Sequence, residues 1–155
     1  MNKIKIEEFP FSKVDHVGAV VRDLDKAVEY YHSLGIKPFE PSKLTVVERE
    51  LRGKPIDVDK IKAKISFARI GSIRLELIQP IKGKSPWKEF LESKGEGVHH
   101  LGFLVDDIDK ETAKLVEKGF VVVYRARFLK GGGAVYFDTG KIGGVLLELV
   151  QWPPG

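Results

Sequence analysis

His16, Glu76, His100 and Glu148 are two imidazoles and two carboxylates, and together they make a set of N and O donors suited to one divalent cation. With no cysteine in the chain, no thiolate narrows the choice of metal, so Co, Zn, Ni, Mn and Fe(II) are all compatible, with room for further ligands if the ion takes six. These four residues are singled out by a repeat. Residues 14–26 and 98–110 align with seven of thirteen positions identical, among them His16 with His100, Gly18 with Gly102, and the Asp-x-Asp-Lys run that follows each. The stretches Arg74-Leu75-Glu76-Leu77-Ile78-Gln79 and Leu146-Leu147-Glu148-Leu149-Val150-Gln151 also match in register, each with a glutamate inside an apolar run. A carboxylate in such a run is costly to desolvate, by several kcal/mol if nothing compensates it. A repeat this close means two copies of one structural unit, and a His and a Glu at equivalent places in both copies point to one shared centre.

The elements that must position them follow from periodicity. Residues 14–21 alternate as a strand with Val14, His16, Gly18 and Val20 on one face. In 98–105 the alternation puts His100 on the corresponding face and His99 on the other, so His99 is not expected to join the centre. On the closing strands Arg74, Glu76 and Ile78 share one face and Leu146, Glu148 and Val150 another, with Leu75, Leu77, Leu147 and Leu149 turned to the core beneath the helices. A helix begins at about Asp23, a good N-cap, and stops at Gly35; His32 lies off its apolar stripe and reads as a surface residue. Two strand-like stretches, 44–51 and 61–67, flank a polar turn at Arg52-Gly53-Lys54-Pro55. Glu48 and Glu50 share a face with Val46 and read as solvated carboxylates. Ser85-Pro86 starts a short helix that ends near Gly95. The second copy runs strand 98–105, helix 107–118, strands 120–128 and 134–138 about a Gly131-Gly132-Gly133 hairpin turn, and strand 145–151.

The expected fold is therefore α+β: two βαβββ modules, 14–80 and 97–151, within one domain, 14–151. Residues 1–13 read as an N-terminal arm, Ile4 and Ile6 alternating with lysines as a short edge strand, and the arm and two-module design are compatible with a homodimer. The start of the chain has no apolar h-region and no run approaches the roughly 20 apolar residues of a membrane span, so a cytoplasmic protein without membrane contact is expected. A net charge of +4, with basic and acidic residues interleaved, reads as a solvated surface in preference to a nucleic-acid interface and at most mildly favours an anionic small-molecule substrate.

These motifs resemble the vicinal oxygen chelate superfamily, which includes glyoxalase I, extradiol dioxygenases, bleomycin-resistance proteins and methylmalonyl-CoA epimerase. The resemblance to the epimerase group lies in Asp-His-Val-Gly-x-x-Val at the start, Leu-Glu-Leu-Ile-Gln-Pro at 75–80, Val-His-His-Leu-Gly-Phe with Val-Asp-Asp-Ile, and the Gly-Gly-Val-Leu-Leu-Glu-Leu-Val-Gln ending. It implies that the two βαβββ modules pair to form a cupped mixed sheet around a metal held by His16, Glu76, His100 and Glu148, and a metal-dependent isomerase or lyase that removes a proton next to a carbonyl, with an acyl-CoA as the implied substrate. Glu148 is the expected base and Glu76 its partner across the metal. The family's extra carboxylate ahead of the third strand of module one has no cleanly aligned counterpart; Glu48, Glu50 and Asp57 are the candidates. The alternatives are an extradiol-type dioxygenase using His16, His100 and Glu148, and a non-catalytic binding or resistance protein of the same fold.

Overall fold

The computed structural model describes residues 9–155. The expected edge strand at Ile4 and Ile6 lies outside the described residues. Among the described residues, ten strands form one mixed sheet that curls into a half-barrel, with three α-helices. The strands are β1 (Val14–Val20), β2 (Glu40–Pro41), β3 (Val46–Leu51), β4 (Lys54–Ile56), β5 (Lys62–Ile70), β6 (Ile73–Lys82), β7 (Gly97–Leu104), β8 (Val122–Phe128), β9 (Gly133–Phe137) and β10 (Leu146–Gln151). The helices are α1 (Leu24–Ser33), α2 (Pro86–Lys94) and α3 (Ile108–Glu117). No helix among the described residues is long and apolar enough to cross a membrane.

The repeat is visible in how each copy is tied. The Asp23 and Asp107 side chains cap α1 and α3 by accepting from Lys26 and Lys110 backbone N–H groups. The next free helical N–H, at Leu24 or Ile108, is taken by the side-chain oxygen of Gln79 or Gln151 at the end of the copy's closing strand. The matched glutamines are thus second caps that lock each helix to its sheet. Leu24 of α1 packs on Ala19, Val21 and Leu77; Ile108 and Leu115 of α3 pack on Phe103 and Leu149. The four leucines expected on the helix side are there, and the glutamates between them face the concave side.

The strand order is β2-β5-β6-β1-β7-β10-β9-β8-β3-β4. The two copies meet through the antiparallel pair β1/β7, while each closing strand lies parallel to its own first strand. The second copy follows the βαβββ plan. The first keeps the same order, β1-α1-β2-β5-β6, but its second strand is only Glu40–Pro41, and the β3–β4 hairpin that follows it crosses to extend the other copy's half beyond β8. Opposite charges favour that crossing, since Glu48 faces Arg127 and Glu50 faces Arg125 in register, and it covers what would otherwise be an open edge. β3 returns as β4 through Arg52-Gly53, both at positive φ (48° and 80°), as a tight two-residue hairpin requires.

Candidate metal centre

The four predicted residues converge on the concave face from the four central strands. His16 and His100 are fully buried, Glu76 and Glu148 nearly so. His16 Nε2 lies 2.7 Å from Glu148 Oε1, 3.2 Å from His100 Nε2 and 3.6 Å from Glu76 Oε1; His100 Nε2 lies 3.0 Å from Glu76 Oε1 and 3.5 Å from Glu148 Oε1. Donor atoms of His16, Glu76 and His100 all fall within 4.8 Å of one another. His32 is exposed on α1 and takes no part.

Register explains the pairing. One row across the sheet reads Glu76, Gly18, His100; the other reads His16, Gly102, Glu148. Each row places an imidazole and a carboxylate on either side of a glycine, and the same-row contacts are the two shortest His–Glu distances. The glycines serve the opposite copy's histidine: a Cβ on Gly18 would lie 2.1 Å from His100 Cε1, and one on Gly102 2.2 Å from His16 Cε1. No packed interior absorbs such an overlap without moving the ring. Gly18→Ala and Gly102→Ala are therefore expected to weaken metal binding by more than about tenfold while leaving a folded sheet, as read by metal titration and circular dichroism. Unchanged affinity in both variants would show that the rings need not sit over the glycines. The His-x-Gly spacing in both repeats carried this signal, although it gives no hint of which ring each glycine admits.

Two further residues were not expected at the centre. A β-bulge adds Asp15 to β1 between the pairs Val14/Phe103 and His16/Gly102, and a second adds His99 to β7 between His100/Gly18 and Val98/Ala19. Simple alternation would turn both side chains away; the extra residue re-aims them. Asp15 Oδ2 sits 2.8 Å from His16 Nδ1 and 3.0 Å from the Arg74 guanidinium, and His99 Nδ1 sits 2.9 Å from His100 Nδ1. His99 is therefore corrected from the opposite face to the side of His100, where both rings pack on Tyr136. Asp15 accepts from His16 Nδ1–H, so that a cation taking the place of a proton at Nε2 would meet a lone pair aimed into the site. With His99 accepting in the same way from His100 Nδ1, His100 Nε2 is equally free.

The electrostatics call for positive charge. Burial opposes ionisation of His16, but Glu148, Glu76 and the contact with Asp15 outweigh it and raise its pKa well above the usual histidine value. Burial pushes His100 down to about 4 and His99 to about 3. Burial also pushes Glu76 up, whereas Asp15, despite burial, is drawn down to about 2 by His16 and Arg74. Glu76 Oε1 and Glu148 Oε1 are buried without a hydrogen-bond partner even though imidazole nitrogens stand 2.7–3.6 Å away. Close approach without hydrogen-bond geometry is what donors aimed at a common point show. Ligands about 2.1 Å from one ion at near-right angles lie about 3 Å apart, so the residues fit a divalent cation.

The centre opens on a cavity of about 490 Å³ lined by Glu76, Glu148, Tyr124, Tyr136, Trp87 and Arg49 among others. Glu48, Glu50 and Asp57 are not in that lining. They border a separate depression with Arg125 and Arg127, because a bulge between Val46 and Glu48 turns Arg49 inward and the glutamates out.

A curled sheet made of two joined copies of one unit, with a His and a Glu from each copy meeting at its centre, defines the class of protein. The family is equally plain: the model of the glyoxalase/bleomycin resistance protein/dioxygenase superfamily matches residues 15–137, and the chain belongs to it. Among curated relatives, the mitochondrial methylmalonyl-CoA epimerase of Bos taurus is 28% identical over 142 residues, spanning 90% of this chain and 74% of that one. The crystal structure of methylmalonyl-CoA epimerase from Mycobacterium tuberculosis aligns with a TM-score of 0.68 at 26% identity, over 99% of this chain and 95% of that one. A Streptomyces coelicolor methylmalonyl-CoA epimerase in complex with 2-nitronate-propionyl-CoA aligns with a TM-score of 0.68 at 27% identity, over 90% and 96%. These relatives are isomerases.

Proposed function

We propose that this chain is a metal-dependent isomerase that moves a proton at a carbon next to a carbonyl, with a methylmalonyl-CoA-like thioester as its leading substrate. The observation that carries the reading is the pair of buried, unpartnered carboxylate oxygens of Glu76 and Glu148 beside two imidazole Nε2 atoms on the wall of a substrate-sized cavity. The similarity to epimerases, one of them solved with an acyl-CoA analogue, supports the substrate class.

His16, Glu76, His100 and Glu148 would hold the ion, which when bound supplies a Lewis acid for the carbonyl oxygen and so eases loss of the neighbouring proton. Glu148 is the base that takes that proton through a carboxylate oxygen. Glu76 reaches the site from the other closing strand, on the other side of the two imidazoles, and returns a proton to the opposite face of the carbon. Asp15 and His99 keep both imidazoles in the tautomer that leaves Nε2 unprotonated. Trp87 Nε1 donates a 3.1 Å hydrogen bond to the Tyr136 hydroxyl, and both buried rings line the cavity beside the centre.

The test is exchange of the substrate α-proton for deuterium in heavy water. Metal-loaded protein is expected to exchange methylmalonyl-CoA. If no acyl-CoA and no hemithioacetal exchanges, the reading fails; oxygen uptake with a catechol and Fe(II) would then identify a dioxygenase, and its absence a binding protein.

A further inference from the structure

We propose that Arg74 is a positioning residue that acts through Asp15 and His16: it takes up the charge of Asp15, so that His16 stays an ordinary imidazole donor and the bound ion keeps its Lewis acidity. The inference deepens the reading above and rests on its metal centre. Beside the ligands the two copies differ in charge, since Asp15 stands where the second copy has His99 and Arg74 stands where it has Leu146. These differences are coupled in space. Arg74 is the register partner of His16 on the neighbouring strand, and Leu146 is that of His100. In the first copy a carboxylate behind the histidine is accompanied by a cation; in the second an imidazole goes with a leucine.

One oxygen serves both donors: Asp15 Oδ2 lies 2.8 Å from His16 Nδ1 and 3.0 Å from Arg74 Nη2. A carboxylate bonded to the back of a ligating imidazole raises its basicity and pushes electron density toward the metal. Arg74 draws on the same oxygen through a charge-assisted bond and offsets that push. The guanidinium is held in place by aromatic rings, 4.2 Å from the Phe67 centroid and 5.0 Å from that of Trp152, and both rings also stand 6.0 Å from the His16 ring. With side-chain exposures of 29% for Arg74 and 16% for Asp15, the pair is shielded from the water that makes surface ion pairs weak. A bound dication balances Glu76 and Glu148, Arg74 balances Asp15, and both imidazoles are then backed by groups of no net charge.

Arg74→Leu, which writes the second copy's residue into the first, tests this in zinc-loaded protein. Competition with a chelator is expected to show the metal held about 3–10-fold more tightly, because the uncovered negative charge draws a dication about twice as strongly as the proton that competes for Nε2. In NMR the His16 Nδ1 proton is expected to move downfield while that of His100 stays in place. Deuterium exchange of methylmalonyl-CoA is expected to slow by about 3–10-fold as the ion becomes a weaker Lewis acid. Tighter metal with slower exchange is a split that loss of structure does not produce. Arg74→Lys, which keeps the charge, should hold metal within about twofold of wild type. Arg69→Met removes an exposed cation opposite Arg74 in register and should leave every readout unchanged. Arg74→Gln takes the place of Arg74→Leu should that variant unfold. Weaker metal binding, or a His16 resonance that does not move, overturns the proposal. If wild type exchanges nothing, the isomerase reading falls, while metal affinity and the His16 resonance still decide the role of Arg74.

Discussion

His16→Ala and His100→Ala are each expected to lose the bound metal on purification, whereas His32→Ala retains it. Each histidine supplies a buried Nε2 within 3.6 Å of both glutamates, and removing either leaves two buried carboxylates facing one imidazole. Asp15→Asn and His99→Ala fall between these extremes. They spare the donor atoms but remove the partner that fixes each ring, a change that typically weakens metal binding by roughly 10–100-fold. Thermal unfolding gives a second readout. An ion present at about 100 times its dissociation constant stabilises the fold by about 2.7 kcal/mol. For a chain of this size that is a rise in Tm of roughly 5–10 °C. Wild type should show this rise on adding metal and His16→Ala should not. Equal metal retention in the His16, His32, His99 and His100 variants would mean that the centre lies elsewhere.

Glu148→Gln should keep the metal and the substrate yet lose exchange of the isomer whose proton Glu148 reaches by about 10²–10⁴-fold, the range supplied by a positioned general base. Glutamine preserves side-chain length and an oxygen able to ligate, but not the basicity. Glu76→Gln should behave differently with the two stereoisomers of a racemising substrate. If Glu148 removes the proton from one face and Glu76 from the other, each variant retains exchange of the isomer whose proton its intact glutamate reaches. Full exchange of both isomers by Glu148→Gln would remove that residue from the role assigned to it.

The four central residues were legible because the chain writes the same pattern twice, and register within a repeat fixes which face each side chain takes. The helix starts at Asp23, Ser85 and Asp107 were legible for a local reason, since a capping side chain acts on its own helix. What escaped was long-range. Alternation assumes an unbroken ladder, and the bulges at Asp15, at His99 and beside Glu48 each add one residue without a glycine or proline to mark it. The same limit hid Arg49: its face depends on a bulge, and its place in the cavity depends on β3 pairing with a strand of the other copy. The roles of Gly18 and Gly102 were visible only as identities, because the ring each admits belongs to the opposite module.

Native mass spectrometry of the wild-type protein, purified without added metal, tests the central claim most directly. The account predicts about one divalent ion per chain, removed by a chelator and restored by adding Co, Zn, Ni, Mn or Fe(II). A folded protein that carries no ion and takes up none of these would contradict it.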